Sequence, residues 1–205
     1  MDIRDFAIDI EGKDWPRLLE PWMKYLPSSF ELWFVSRFGD PFIVLDDGGV
    51  ALLDVGRGAF ERLAASREEF IARIEDVANA DSWLLLPLVE RCVAAGIVLG
   101  PDQCYGYKVP PMLGGEYAAS NIEPTALETH YALLGQVWDQ VKDLPPGTKV
   151  AGIQAEMTGA VESINEIREV VSRMSEHVTT IASAVEEQTA TTNEMGRNVT
   201  EAATG

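Results

Sequence analysis

The chain has 205 residues with 33 acidic and 16 basic side chains, a formal net charge of −17, and a field of that sign repels phosphate backbones and anionic lipid, which argues against direct nucleic-acid binding. Two cysteines, Cys92 and Cys104, and two histidines form neither a disulfide ladder nor a spaced metal cluster. No apolar run reaches the ~18 residues of a bilayer span, and the acidic start MDIRDFAIDIEGKDW is unlike a signal peptide, so the expectation is a reduced, cytoplasmic protein without cofactor, metal or membrane span.

The composition changes part-way along. None of the 5 Trp, 5 Tyr and 7 Phe lies after Trp138, and all 11 prolines precede the Leu144-Pro145-Pro146-Gly147 breaker or belong to it. A domain boundary is expected near residue 150, with 24 acidic and 13 basic residues before it and 9 and 3 after it.

In the first part, residues 30–38 and 41–45 are aromatic and β-branched and read as strands. Asp46-Asp47-Gly48-Gly49 supplies a tight hairpin, and residues 50–55 return as the next strand. After Gly56-Arg57-Gly58 a short strand is expected around residues 60–63. Ser66 with Glu69 forms a capping box that opens a helix with Phe70, Ile71, Ile74 and Val77 on one face. Asp81 is expected to cap a second helix through Trp83, Leu84, Leu88 and Val89 to Cys92, stopped by Gly96, with Pro87 forcing a kink or a late start. Residues 104–117 (CYGYKVPPMLGGEY) read as an irregular edge strand and turns. Thr125 and Glu128 form another capping box, before a helix that buries Leu127, Tyr131, Leu134, Trp138 and Val141. The fold class expected for residues 1–150 is α+β: an antiparallel meander packed with helices.

Residues 151–205 carry a single pattern. From Ile153 through Met157, Ala160, Ile164, Ile167 and Val171 to Val199 and Ala202, apolar or small residues alternate at steps of four and three. A period of 3.5 over about 50 residues predicts one supercoiled helix of roughly 75 Å. Such a helix needs a partner for its seam, so self-association through residues 153–202 is expected.

Motifs with chemistry are few. Gly56-Arg57-Gly58-Ala59-Phe60-Glu61 begins like a dinucleotide loop, but Glu61 stands where a third glycine is needed. His130 has no second histidine or carboxylate cluster in register and reads as a packed or surface residue. Cys92 reads as a small core residue, and neither cysteine has a sequence-local base. With no visible carrier of catalysis, an enzyme is not expected. Tyr105, Tyr107, Glu116 and Tyr117 place aromatic tips and a carboxylate in an irregular segment. They read either as a partner-binding surface or as a rigid turn packing tyrosine against the last helix.

The stretches FGDPFIVLDDGGVALLDV (residues 38–55), ERLAASREEF (61–70) and CYGYKVPPMLGGEYAASNIEPTALETHYALLGQVWDQVKDLPPGTKV (104–150) resemble the C-terminal domain of immunity proteins for type VI secretion DNase effectors. The resemblance covers about residues 30–150. It implies a cytoplasmic α+β protein that neutralises a toxin by binding it. Residues 151–205 resemble the C-terminal arm of the signalling hairpin of methyl-accepting chemotaxis proteins, and ASAVEEQTAT (182–191) is similar to that family's methyl-acceptor pattern. This second resemblance implies Glu186 and Glu187 as methyl acceptors, beside the plainer reading of a charged, solubilising face. The hairpin tip and first arm of that family have no counterpart in the sequence, and half a hairpin is not expected to signal alone. The function expected first is therefore binding of a basic protein toxin. A chemotaxis adapter docking into chemoreceptor helices comes second.

Overall fold

Four strands follow one another along the chain and pair as an antiparallel meander: β1 (Phe30–Val35), β2 (Pro41–Leu45), β3 (Val50–Asp54) and β4 (Ala59–Ala64). The computed structural model in which they are seen describes residues 6–144. Between β2 and β3 the Asp-Asp-Gly-Gly cluster turns the chain, with Gly48 at a φ of +83° and the Asp47 carboxylate accepting the Gly49 N–H at 3.0 Å. β1 ends at Val35, short of the expected Phe38. The Ser36 hydroxyl oxygen accepts the N–H groups of Phe38 at 3.2 Å and Asp40 at 3.1 Å, and this local turn competes successfully with the ladder.

The sheet is buried on both faces, which explains the near-continuous apolar runs of β2 and β3. Ile43 and Leu53 point to one side, against Leu19, Trp22, Tyr131 and Leu134. Phe42, Val50 and Leu52 point to the other, against Phe70, Trp83 and Leu84. The first layer is built by the short α1 (Trp15–Leu18), a 3-10 turn at Glu20–Tyr25 and the long α5 (Leu127–Val141). The second is built by α2 (Arg67–Ile74) and α3 (Val77–Leu84). Burying each large side chain of this kind contributes about 1.5–3 kcal/mol.

α2 begins as expected, with the Ser66 hydroxyl accepting the Glu69 N–H at 3.2 Å. Its apolar face is narrower than the periodicity predicts. Phe70 is buried among Trp33, Phe34, Phe42 and Trp83, whereas Ile71 is exposed and Val77 starts the next helix in solvent. Asp81 does not cap α3 but lies within it. Asp76 is the cap, its carboxylate accepting the Ala78 N–H at 2.9 Å, and packing of Ala80 and Trp83 with Phe70 carries the helix through Asp81. α3 ends at Leu85, whose φ of +52° is left-handed. α4 (Leu86–Ala94) then opens with Pro87 in its first turn, where the missing N–H costs nothing. Pro87 thus produces a late start.

Residues Gln103–Tyr107 form β5, paired antiparallel with β6 (Ile122–Ala126) in a separate two-stranded sheet. Thr125 is held in β6 opposite Cys104 and its hydroxyl donates to the Glu123 carbonyl. It therefore does not form the expected capping box with Glu128, and Ala126 caps α5 without a side-chain bond. α5 buries Leu127, Tyr131 and Leu134 and adds His130 and Val137, while Trp138 and Val141 are half-buried. The structure is mixed α and β with an antiparallel four-stranded sheet. The heptad helix expected over 151–205, Glu186, Glu187 and the seam over 153–202 lie outside the described residues. Among the described residues no helix is long and apolar enough to cross a membrane.

Candidate partner-binding site

Alternation along β5 sends Tyr105 and Tyr107 to the same side of the strand, but they end in different surroundings. Tyr105 is 1% exposed and its hydroxyl donates to the Ile97 carbonyl at 3.2 Å. It is a core residue packed on Phe38, so of the expected aromatic tips this one is not at the surface. Its position inside the cluster with Leu88, Val89, Cys92 and Ile122 makes it the floor beneath the others. Tyr107 stacks on Phe38 at 5.6 Å and meets the ring of Tyr117 edge-on at 6.1 Å. Tyr117 is 42% exposed, and Glu116 beside it is also exposed.

The Asn121 side chain clamps the loop that carries Glu116 and Tyr117. The Asn121 amide nitrogen donates to the carbonyls of Val109 at 2.8 Å and Glu116 at 2.9 Å, while its oxygen accepts the Val109 N–H at 2.9 Å. Gly115 fits against this clamp only because it lacks a side chain, as a Cβ there would overlap the Val109 carbonyl. Arg91 of α4 donates to the Tyr117 carbonyl at 3.0 Å, and Lys108 donates to the Ser120 carbonyl at 2.9 Å. The loop is therefore fixed before any partner arrives, which lowers the ordering cost of binding.

A second segment joins the patch. The β3–β4 turn lies against Tyr107: a Cβ on Gly56 would stand 2.9 Å from its ring, and the Gly56 carbonyl accepts the Met112 N–H at 3.1 Å. This turn is a β-hairpin connection, with β4 where a dinucleotide fingerprint needs a helix. Its Asp54 carboxylate accepts the Arg57 N–H at 2.8 Å and pairs with the Arg57 guanidinium at 3.7 Å. Burial, opposed by these bonds, holds the Asp54 carboxyl above the ordinary carboxylate range. Burial, with the negative charges of Asp40 and Asp54, pushes the Tyr107 hydroxyl strongly up and the Tyr117 hydroxyl up as well, so both stay protonated donors. Sequence spacing hides this part of the patch, since Arg57 is far from Tyr117 along the chain. The one signal is an arginine placed between two turn glycines.

Beneath lies a buried polar group. The Asp40 carboxylate accepts the Ser36 hydroxyl and the Val55 N–H, both at 3.0 Å, and burial with the nearby Asp54 pushes its pKa well up. Cys104 and His130 meet over Gly39, whose missing Cβ would lie 3.2 Å from the thiol and 2.9 Å from the imidazole. Burial pushes the Cys104 thiol up and the His130 imidazole down to about 4. A nucleophilic cysteine needs the opposite pair, a thiolate beside an imidazolium. Cys92 is buried and its thiol is likewise pushed up by burial. Among the described residues no group of three or more His, Cys, Asp or Glu side chains is placed to hold a metal ion.

The comparison with protein families falls on this region. Residues 64–137 match the family model of the T6SS immunity protein Tdi1, C-terminal. The match runs from the end of β4 to Val137 on α5 and includes Tyr105, Tyr107, Glu116 and Tyr117. The resemblance to type VI secretion immunity proteins is thus shown over this stretch, and it supports an immunity-like domain. The chemoreceptor resemblance of residues 151–205 rests on its sequence motif. No curated protein matches the chain.

Proposed function

We propose that the protein is a non-catalytic binding protein whose residues 1–150 neutralise a basic toxin of the nuclease class by direct contact. The observation that carries this reading is the match to the Tdi1 C-terminal immunity family over the segment that builds the Tyr107–Tyr117 patch. Tyr117 with Glu116 is the contact edge, Tyr107 supports it, and Tyr105 fixes the floor. Buried interface tyrosines commonly cost more than about 1 kcal/mol on truncation, whereas rim carboxylates cost less. The toxin is proposed to meet the protein in the cytoplasm, without nucleic acid or membrane in the complex. The helix over 151–205 is proposed as a chemoreceptor-derived arm that pairs through its seam, with Glu186 and Glu187 as surface carboxylates open to esterification. A chemotaxis adapter is the alternative reading, favoured only by that motif.

Growth rescue tests the proposal. The toxin encoded beside this gene is co-expressed with the wild-type chain and with Tyr117→Ala, Tyr107→Ala or Glu116→Ala. Wild type should restore growth, and Tyr117→Ala should weaken protection more than Glu116→Ala. If wild type neither binds nor protects against any neighbouring toxin, the immunity reading falls and the adapter reading replaces it.

A further inference from the structure

The Tyr107–Tyr117 patch leaves another surface unused. Where α2, α3 and α4 converge, a groove of about 470 Å³ has the exposed Val77 and Pro87 and the half-buried Ile74 on its walls and the buried Ala80, Leu84 and Leu86 as its floor. It exists because of two local features. Pro87 and the left-handed Leu85 break what would otherwise be one helix, so the end of α3 and the start of α4 diverge. Val77, the first residue of α3, is also left 69% exposed at the groove's edge.

The rim has a single sign. Glu75, Asp81 and Glu90 line the groove, and among the described residues no lysine or arginine does. Of the cations nearby, Arg73 is turned away, donating to the Leu63 carbonyl and lying over the Trp83 ring at 5.4 Å. This chemistry selects the occupant. A small polar ligand would find no converging set of donors to orient it. A second copy of the chain carries the same rim and a net charge of −17. The chain's own residues 151–205 have the apolar stripe but 9 acidic and 3 basic residues, so their charge opposes the rim. What complements both lining and rim is an amphipathic helix with apolar residues at i, i+4 and i+7, flanked by lysine or arginine.

We infer that the α2–α3–α4 groove is a second docking site, taking a cationic amphipathic helix of a protein partner. It shares no lining residue with the Tyr107–Tyr117 patch, and it deepens the immunity reading by giving a basic partner a separate anchoring point. The apolar face of the helix covers the exposed Val77 and Pro87 and the half-buried Ile74. Its cations pair with Glu75, Asp81 and Glu90. The single-sign rim sets orientation and rejects acidic helices, while apolar burial supplies the affinity.

The test uses the full chain and a fluorescent synthetic leucine–lysine helix with leucines at i, i+4 and i+7. A peptide of the same composition with the leucines scrambled off one face is the comparison, and binding is read by anisotropy. The amphipathic peptide should bind at least about tenfold tighter than the scramble. Val77→Lys, and separately the pair Asp81→Lys with Glu90→Lys, should remove that preference while the thermal melt stays like wild type. If a variant melts early, Glu75→Lys at the rim replaces it. Equal affinity for the two peptides, or folded variants that retain the preference, overturns the groove. Because the probe is synthetic, loss of peptide binding in a chain that still protects against its toxin removes the groove alone. Peptide binding by a chain that protects against no toxin removes the immunity reading alone.

Discussion

His130 shows how much a single residue can say about its surroundings when its charge is set against its burial. It is 2% exposed, its ring bonds the Phe38 backbone through one nitrogen, and the Nε2 atom has no partner among the described residues. Burial holds its pKa at about 4, below the model-peptide value of 6.5. A base with a depressed folded pKa contributes stability that is present above the unfolded value and lost as pH falls through the folded one. At about 1.4 kcal/mol per unit, unfolding free energy should fall by up to about 3 kcal/mol between pH 6.5 and 4. Asp40 acts in the opposite sense, since its folded pKa is raised by burial and protonation on the acid side relieves that penalty. Denaturant melts across this range should therefore show His130→Gln starting lower at pH 7 but losing less stability toward acid than wild type does. A variant that kept the wild-type slope would place the titrating group elsewhere. The same residue marks the limit of spacing arguments. Its place beside an apolar stripe left packed and surface positions both open, and that it meets Cys104 over Gly39 was not legible, because three elements distant in sequence bring them together.

At the scale of elements, the loop between β5 and β6 carries the proposed contact. Its shape depends on Gly115 and Asn121 rather than on the tyrosines it displays. Gly115→Ala should force the loop off the Val109 carbonyl and displace Glu116 and Tyr117, while the four-stranded sheet, built elsewhere, stays intact. The expected outcome is a loss of about 1–3 kcal/mol in stability and a larger loss of toxin affinity than Glu116→Ala gives. Unchanged toxin binding by a folded Gly115→Ala protein would mean that the loop does not carry the contact. The meander was legible because Asp46–Gly49 and the flanking apolar runs state turn and strand locally, and α2 announced its start through Ser66 and Glu69. The misread boundaries have one physical source. Asp76 and Asp81 are equally good caps, and Thr125 with Glu128 satisfies a capping box on paper, yet pairing of Thr125 with Cys104 and continuation of α3 through Asp81 were decided by tertiary packing. Of the candidate patch, the irregular course of residues 108–117 was legible from their Gly and Pro, whereas Tyr105's burial and Arg57's arrival depend on contacts across the fold.

Over the whole molecule the governing property is charge. A net −17 makes a long-range field, whereas the Tyr107–Tyr117 patch is locally mixed, with Arg57 paired to Asp54 and Arg91 bonded to the Tyr117 carbonyl. The two scales should separate in kinetics. Opposite fields steer a basic partner into encounter and raise the association rate, up to about 10⁸–10⁹ M⁻¹s⁻¹ at low salt against about 10⁵–10⁶ for neutral surfaces. Contacts made after docking set the dissociation rate instead. Raising ionic strength from about 0.01 M to about 0.15 M shortens the screening length from about 30 Å to about 8 Å. Stopped-flow mixing with a basic toxin should then show association slowing by tenfold or more with dissociation nearly constant. Tyr117→Ala should do the reverse, leaving association and its salt slope unchanged while dissociation accelerates about fivefold or more, as loss of more than about 1 kcal/mol requires. If salt acted on dissociation and Tyr117 on association, the field would belong to the contact itself, and the division between steering surface and aromatic anchor would be wrong.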